Sequence, residues 1–394
     1  MDINYSTSMF IGETTQGVAQ PVFFDTHTAI FNNKPPGTII TGMTGSGKTF
    51  LALTLTTICS ILGKTTIVLD PKGDFISLMS LKDEIGDINF WNLSDPKKKG
   101  ILDPFYMASD KGEQLNLVIS VIDMLVGGIK DEQFTVLSPI IKDVIESDVP
   151  SLLAVTEALL MSDKDEARNL GASLDLIRRL PFASLCFAPG NRRRATLKLD
   201  SGLTVVTMVG LELKSNIGNI SRLSATVFFL ITDFIRRIMH HDESQNPKTL
   251  IIDEAWAVLA SSAGADCIEA AARLGRSKAL ALVLITQNDR DLGNLNIKNT
   301  ITTRFAFNTD PKEATQIVEG MQLPPGEGFE AALTSLNPGE CLMRDWMGRY
   351  STIHVSDWKE KWTTAFETNP LEKTRAERRR KMAEAKQQDS VSNN

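Results

Sequence analysis

Two rhythms of apolar and polar residues share this chain. Short, nearly unbroken apolar runs read as strands of a sheet covered on both faces. They are Thr38-Ile39-Ile40-Thr41, Thr65-Thr66-Ile67-Val68-Leu69, Leu203-Thr204-Val205-Val206-Thr207-Met208, Thr249-Leu250-Ile251-Ile252, the run from Ala279 to Thr286 and the run from Thr300 to Phe307. Helical spacing lies between them, from Thr49 to about Leu62, where Gly63 ends the pattern, from Arg222 to His240 and from Pro311 to Met321. Strands alternating with helices predict an α/β core around a mainly parallel sheet. Two hairpins flank it, Met9–Gly12 with Pro21–Asp25 ahead of the core, and Gly339–Asp345 with Arg349–Val355 after it. From about Pro104 to Asn191 the rhythm is helical alone, as in Leu115, Ile119, Ile122 and Leu125, then Leu152, Val155 and Leu159, then Leu174, Ile177 and Leu180.

Chemistry enters at residues 42–49, GMTGSGKT, between an apolar strand and a predicted helix. Gly42, Thr44, Gly45, Ser46 and Gly47 form a loop whose backbone N–H groups curl around phosphates at the positive end of that helix. Lys48 reaches the β and γ oxygens, and the Thr49 hydroxyl holds Mg²⁺. The pattern and its flanks predict a P-loop NTPase.

A second apolar strand ends in Asp253-Glu254, two carboxylates where a ligand meets the carboxyl edge of a parallel sheet. Asp253 suits Mg²⁺, and Glu254 suits polarising the water that attacks the γ-phosphate. The strand from Ala279 to Thr286 brings Gln287 to the same edge, where an amide contacts both γ-phosphate and water. The preceding run Ala272-Arg273-Leu274-Gly275-Arg276-Ser277-Lys278 leaves two readings open, helix-surface cations or groups stabilising charge in a neighbouring subunit's site. Asp70 and Lys72, in the turn Asp70-Pro71-Lys72-Gly73-Asp74, also have two readings, turn chemistry or contact with the site.

Lys48 and Asp253 lie 205 residues apart (253 − 48), more than a strand-helix-strand unit fills, so the helical stretch is expected to be an insertion. The organisation is read as a hairpin and first part of the core over 1–103, an inserted all-α subdomain over 104–195, the rest of the core over 196–368 and a charged, helix-favouring or disordered tail over 369–394.

The chain of 394 residues is 42% hydrophobic and 23% charged, enough for a large core. Its net charge of −6 argues against a surface that grips nucleic acid throughout, while leaving local basic patches at Arg192–Arg194 and between Lys373 and Lys386. Cys59, Cys186, Cys267 and Cys341 are widely spaced and read as buried small residues. Neither they nor His27, His240, His241 and His354 have metal-ligand spacing. No stretch approaches the roughly 18 apolar residues of a membrane span, and a cytoplasmic location is expected.

GMTGSGKT, VLDPKGDF, LIIDEAW, RLGRSKALALVLITQ and GECLMRD, in this order, resemble the ATPase domain of the VirB-four family, also called the TraC-like class, of type IV secretion and conjugation machines. The resemblance runs from about residue 9 to residue 356. It implies a RecA-like core with an all-α insertion, binding ATP and Mg²⁺ and assembling as a hexamer or other ring. It places that ring at the inner face of the bacterial cell membrane, against secretion-channel and coupling proteins. It also implies roles for Lys48, Thr49, Asp253, Glu254 and Gln287 as above, and matches Arg276 or Lys278 to the basic motif before that glutamine. Arg304, Arg344 and Arg349 are weaker candidates for a cation acting in trans. The sequence departs from the family in having only a short strand pair before the loop, so Met1 reads as the start of a fragment. Two other functions compete with a secretion motor: a HerA/FtsK-like DNA translocase, and an assembly component gated by nucleotide with little turnover.

Overall fold

The computed structural model describes residues 8–108, 110–189, 202–210, 219–241, 246–259, 262–275, 277–292, 299–324 and 326–367. Arg276, Arg192–Arg194 and the basic tail lie outside the described residues.

The strands are β1 (Met9–Thr14), β2 (Pro21–Phe24), β3 (Gly37–Thr41), β4 (Thr65–Asp70), β5 (Ile88–Asn92), β6 (Leu203–Thr207), β7 (Lys248–Ile252), β8 (Leu280–Ile285), β9 (Ile301–Phe307), β10 (Glu340–Arg344) and β11 (Tyr350–Val355). They join in one sheet in the order β2-β1-β11-β10-β9-β3-β8-β7-β4-β6-β5. From β9 to β5 every pairing is parallel. The two hairpins extend the sheet antiparallel from β9. β5 was not foreseen. It is a partly buried edge strand with no continuous apolar run, and its partner β6 lies more than a hundred residues downstream.

Successive side chains of a strand point to opposite faces, and the core divides accordingly. Ile39, Ile67, Leu69, Leu250, Ile252, Leu282 and Leu284 pack with residues of helices Lys111–Val126, Asn219–His241 and Ser262–Leu274. Ile40, Val68, Ile251, Val283 and Ile285 pack with Leu51, Leu53, Leu55 and Ile58 of helix Lys48–Ile61 and with Trp362 and Phe366 of helix Glu360–Phe366. Cover on both sides is what lets Ile39–Ile40 of β3, Leu250–Ile252 of β7 and the whole of β8 run apolar without a break. Each fully buried leucine contributes about 2 kcal/mol from the removal of its surface from water.

Between β5 and β6 run helices Lys111–Val126, Asp131–Ile145, Leu152–Leu160 and Asp165–Ile177. Asp110 caps the first by accepting from Glu113 N–H at 3.0 Å, and Ser151 caps the third by accepting from Ala154 N–H at 3.0 Å. Their apolar faces join the same cluster as the sheet face beneath. The stretch leaves and returns through a neck in which Gly100 N–H donates to Ser184 O (2.7 Å) and Leu102 N–H to Leu185 O (2.9 Å). At the neck the buried Asp103 carboxylate accepts from Phe105 (3.2 Å), Leu152 (3.0 Å) and Ala188 (2.8 Å) N–H groups.

A buried ion pair anchors the start of the core. Asp25 accepts from the Lys64 ammonium and from His27 N–H at 3.0 Å, tying the residue after β2 to the end of the β3–β4 crossover. All four cysteines are buried.

Candidate nucleotide site

β3 ends at Thr41, and the chain turns through Gly42–Gly47 into helix Lys48–Ile61. Gly42, Gly45 and Gly47 have φ of 142°, 79° and 115°, conformations that L side chains rarely adopt. Space is also short. A Cβ on Gly42 would lie 2.7 Å from Phe307 Cβ, and one on Gly47 would lie 3.0 Å from the Phe307 ring and 3.1 Å from Gly339 N. The neighbouring strands grip the loop from outside, where Met43 N–H donates to Asn308 O (2.8 Å) and Gly339 N–H donates to Ser46 O (3.0 Å). Met43, Thr44 and Gly45 remain exposed.

The Lys48 ammonium folds back and donates to Gly42 O (2.6 Å) and Met43 O (2.7 Å). Burial pushes its pKa down to about 8, against the pull of Glu254 and with the push of nearby Lys72. Thr49 follows, half-buried in the first turn.

β7 delivers the acidic pair. Asp253 N–H donates to Leu69 O (3.0 Å) and Ala255 N–H to Ile285 O (2.9 Å), stitching the segment to both neighbouring strands at their carboxyl ends. Asp253 is buried and its Oδ2 has no hydrogen-bond partner among the described residues. Burial, with Glu254 and Asp70 close by, pushes its carboxyl up to about 7. An orphaned carboxylate oxygen costs stability unless something positive completes it, so Asp253 Oδ2 fits a divalent cation. Glu254 sits at φ 52°, a left-handed conformation costing a non-glycine residue about 1 kcal/mol or more. Its Oε2 accepts from the Trp256 indole N–H and its Oε1 pairs with the Lys72 ammonium.

Gln287 emerges exposed from the same edge, just past Thr286, whose N–H donates to Ile40 O at 3.1 Å. The structure therefore brings Lys48, Asp253, Glu254 and Gln287 to one end of the sheet. Asp70 does turn chemistry, its carboxylate accepting from Gly73 (2.7 Å), Asp74 (3.1 Å) and Phe75 (2.9 Å) N–H groups, while Lys72 reaches the acidic pair. Lys278 is half-buried. Arg304 is corrected: it is 5% exposed and paired with Asp289 at 2.6 Å, so its guanidinium is not presented to a neighbour. Arg344 donates to Gln322 (3.2 Å) and Arg349 to Asp345 (2.6 Å).

Sequence reasoning left Lys72 undecided and missed Trp256, Asp291 and Gly339. Lys72 and Gly339 sit in turns whose composition is ordinary turn chemistry. Asp291 accepts from the Thr286 hydroxyl, and burial, with the charge of nearby Glu254 adding to it, raises its carboxyl, a proximity no spacing rule conveys.

A glycine loop between a buried parallel strand and a helix, faced by carboxylates on a non-adjacent strand, defines the P-loop NTPase class of fold. The chain belongs to the AAA-like domain family, whose model matches residues 27–366. It is similar in structure to VirB4 of Thermoanaerobacter pseudethanolicus (TM-score 0.71, 16% identity, 90% of this chain and 98% of that one). It is also similar to the plasmid coupling protein TrwB in complex with ADP and Mg²⁺ (TM-score 0.59, 15% identity, 83% and 87%). Among curated sequences it is similar to the uncharacterized protein YddE of Bacillus subtilis, 24% identical over 364 residues. That alignment takes in 85% of this chain and 43% of YddE, so the chain spans less than half the length of that relative. Among the described residues no helix is long and apolar enough to cross a membrane.

Proposed function

We propose that this chain is an ATP-hydrolysing motor of a type IV secretion or conjugation apparatus, acting as a ring at the inner face of the membrane beside channel and coupling proteins. The observation that carries the chemistry is the meeting of Lys48, Asp253 and Glu254 at the carboxyl edge of β3 and β7. Support for the biological setting is the shared fold with VirB4 and TrwB, the latter captured with ADP and Mg²⁺.

The residues divide the work. The loop N–H groups and Lys48 hold the triphosphate, and catalysis is positioning plus charge stabilisation of an in-line transfer. Lys48 must leave Gly42 O and Met43 O to do this, and its two short hydrogen bonds show where it waits. Thr49 and Asp253 would hold Mg²⁺, which supplies charge neutralisation on the phosphates. Glu254 Oε1 takes the proton of the attacking water, with Oε2 held by Trp256. Gln287 contacts the terminal phosphate and that water. Arg276, and Lys278 beside it, precede the strand that carries Gln287 and are the cations assigned to a neighbouring subunit's site.

Glu254→Gln is expected to retain ATP binding and lose turnover by two to three orders of magnitude, roughly the worth of a positioned base. Turnover near the parent rate would refute the assignment. In the parent, a rate per subunit that rises with protein concentration indicates a site completed by a neighbour, and a zero rate at every concentration indicates an assembly component instead. Hydrolysis stimulated by duplex DNA with steep salt dependence would favour a DNA translocase.

A further inference from the structure

The Lys72–Glu254 pair joins a half-exposed cation to a buried carboxylate. The Glu254 side chain is only 7% exposed, sits on a left-handed backbone and is held at Oε2 by Trp256. The Lys72 side chain is 50% exposed, on a four-carbon stem free to swing. The base of that stem is not free. Asp70 accepts from three consecutive N–H groups of the turn, and Gly73 takes φ 87°, so Lys72 stays aimed at the acidic pair.

Lys72 also lies close enough to Lys48 for the two charges to interact. Two ammonium groups thus stand close together at this end of the sheet, and each is occupied by a group from the protein itself, Lys48 by loop carbonyls and Lys72 by Glu254. A triphosphate, which keeps more negative charge than one carboxylate even with Mg²⁺ bound, outcompetes a single carboxylate for a lysine that can reach both. While the Lys72 ammonium sits on Oε1, it fills the place from which the attacking water would have to hydrogen-bond to that oxygen.

We propose that Lys72 is a positioning residue that changes partner: it rests on Oε1 of Glu254 when no triphosphate is bound and moves to the terminal phosphate when one binds, freeing Glu254 to take the proton of the attacking water. The base is then unmasked by the group whose hydrolysis it assists, and a diphosphate leaves it masked. This deepens the reading of the site as an ATPase and rests on it.

The test is equilibrium binding of ADP and of a non-hydrolysable ATP analogue to the parent chain, Lys72→Met, Lys72→Arg, Glu254→Gln and Lys72→Met/Glu254→Gln, each checked by circular dichroism and thermal melting. Lys72→Met is expected to weaken the analogue roughly tenfold more than ADP, with Lys72→Arg recovering part of the difference. Glu254→Gln is expected to tighten the analogue several-fold because Lys72 is released, and to do nothing once Lys72 is methionine. Equal loss for both nucleotides in Lys72→Met, or a Glu254→Gln effect that does not depend on Lys72, would overturn the proposal while leaving the ATPase reading in place. Should the parent bind neither nucleotide, or Lys48→Ala leave binding unchanged, the ATPase reading itself fails and this proposal goes with it.

Discussion

Gly339 donates its backbone N–H to the carbonyl of Ser46 at 3.0 Å, and its Cα stands 3.2 Å from where a Cβ on Gly47 would lie. The approach to β10 is thereby pressed against the phosphate loop, and neither residue tolerates a side chain. Gly339 has φ 86°, with the His354 ring 3.3 Å from its missing Cβ. Gly47→Ala and Gly339→Val are each expected to cost about 1–3 kcal/mol of strain and to impair nucleotide binding. Thermal melting together with titration of a fluorescent ADP analogue checks both. Unimpaired binding in Gly339→Val would show that the clamp does not shape the loop.

Asp253 makes the protein without nucleotide sensitive to pH. Its carboxyl is pushed up to about 7 from an ordinary value of 3.8, chiefly by burial, so the folded chain holds a proton that the unfolded chain has released. That contribution to stability is complete below about pH 4 and is lost as pH rises toward 7. Asp70, pushed up to about 6 by burial despite its three N–H donors, acts in the same direction. Asp253→Asn is expected to flatten the fall between about pH 4 and 7 and to stabilise the protein at pH 8 by a few kcal/mol, on the order of 1.4 per pKa unit. Denaturant melts across this range, without Mg²⁺ or nucleotide, measure it, and an unchanged slope would contradict it.

The Asp25–Lys64 pair predicts the opposite trend in acid. Burial raises Asp25, but the hydrogen bond from His27 and the charge of Lys64 prevail and bring it down to about 2. Its contribution is present above the ordinary carboxylate pKa and lost as pH falls from about 4 to about 2. Asp25→Ala leaves the Lys64 ammonium, 4% exposed, without its carboxylate and is expected to cost about 3–5 kcal/mol. Replacing both residues with apolar ones should cost less than the single change. A double-mutant cycle read by denaturant melting decides this.

Arg304→Met is expected to lower stability by about 3–5 kcal/mol, because Asp289, 6% exposed, loses the cation beside it. Mixed assemblies should then show no defect in trans beyond the loss of folded subunits. A dominant inhibition of ATPase rate by properly folded Arg304→Met subunits would restore this arginine as a finger.

The strands of the core were legible because cover on both faces leaves runs such as Ile39–Ile40 and Leu250–Ile252 wholly apolar, and the loop because three glycines and a lysine have few other uses at that spacing. β5 was not, since an edge strand needs no unbroken apolar run and its pairing with β6 bridges more than a hundred residues. Arg304 looked available because a charged residue in a strand usually faces water. Asp289, brought to it by the turn after β8, reverses that. Lys72 needed three dimensions for the same reason: only the fold carries Glu254, 182 positions later (254 − 72), to its ammonium.

The Asp103 carboxylate gathers N–H groups from Leu152 and Ala188 as well as its own turn, closing the neck of the helical stretch. Seen from the sheet, the chain leaves and, 85 positions later, returns at one side chain. Lengthening or exchanging helices beyond that knot leaves the pairing of β5 with β6 unchanged, so this stretch can diverge among relatives while the edge that carries the phosphate loop and the acidic pair stays in place.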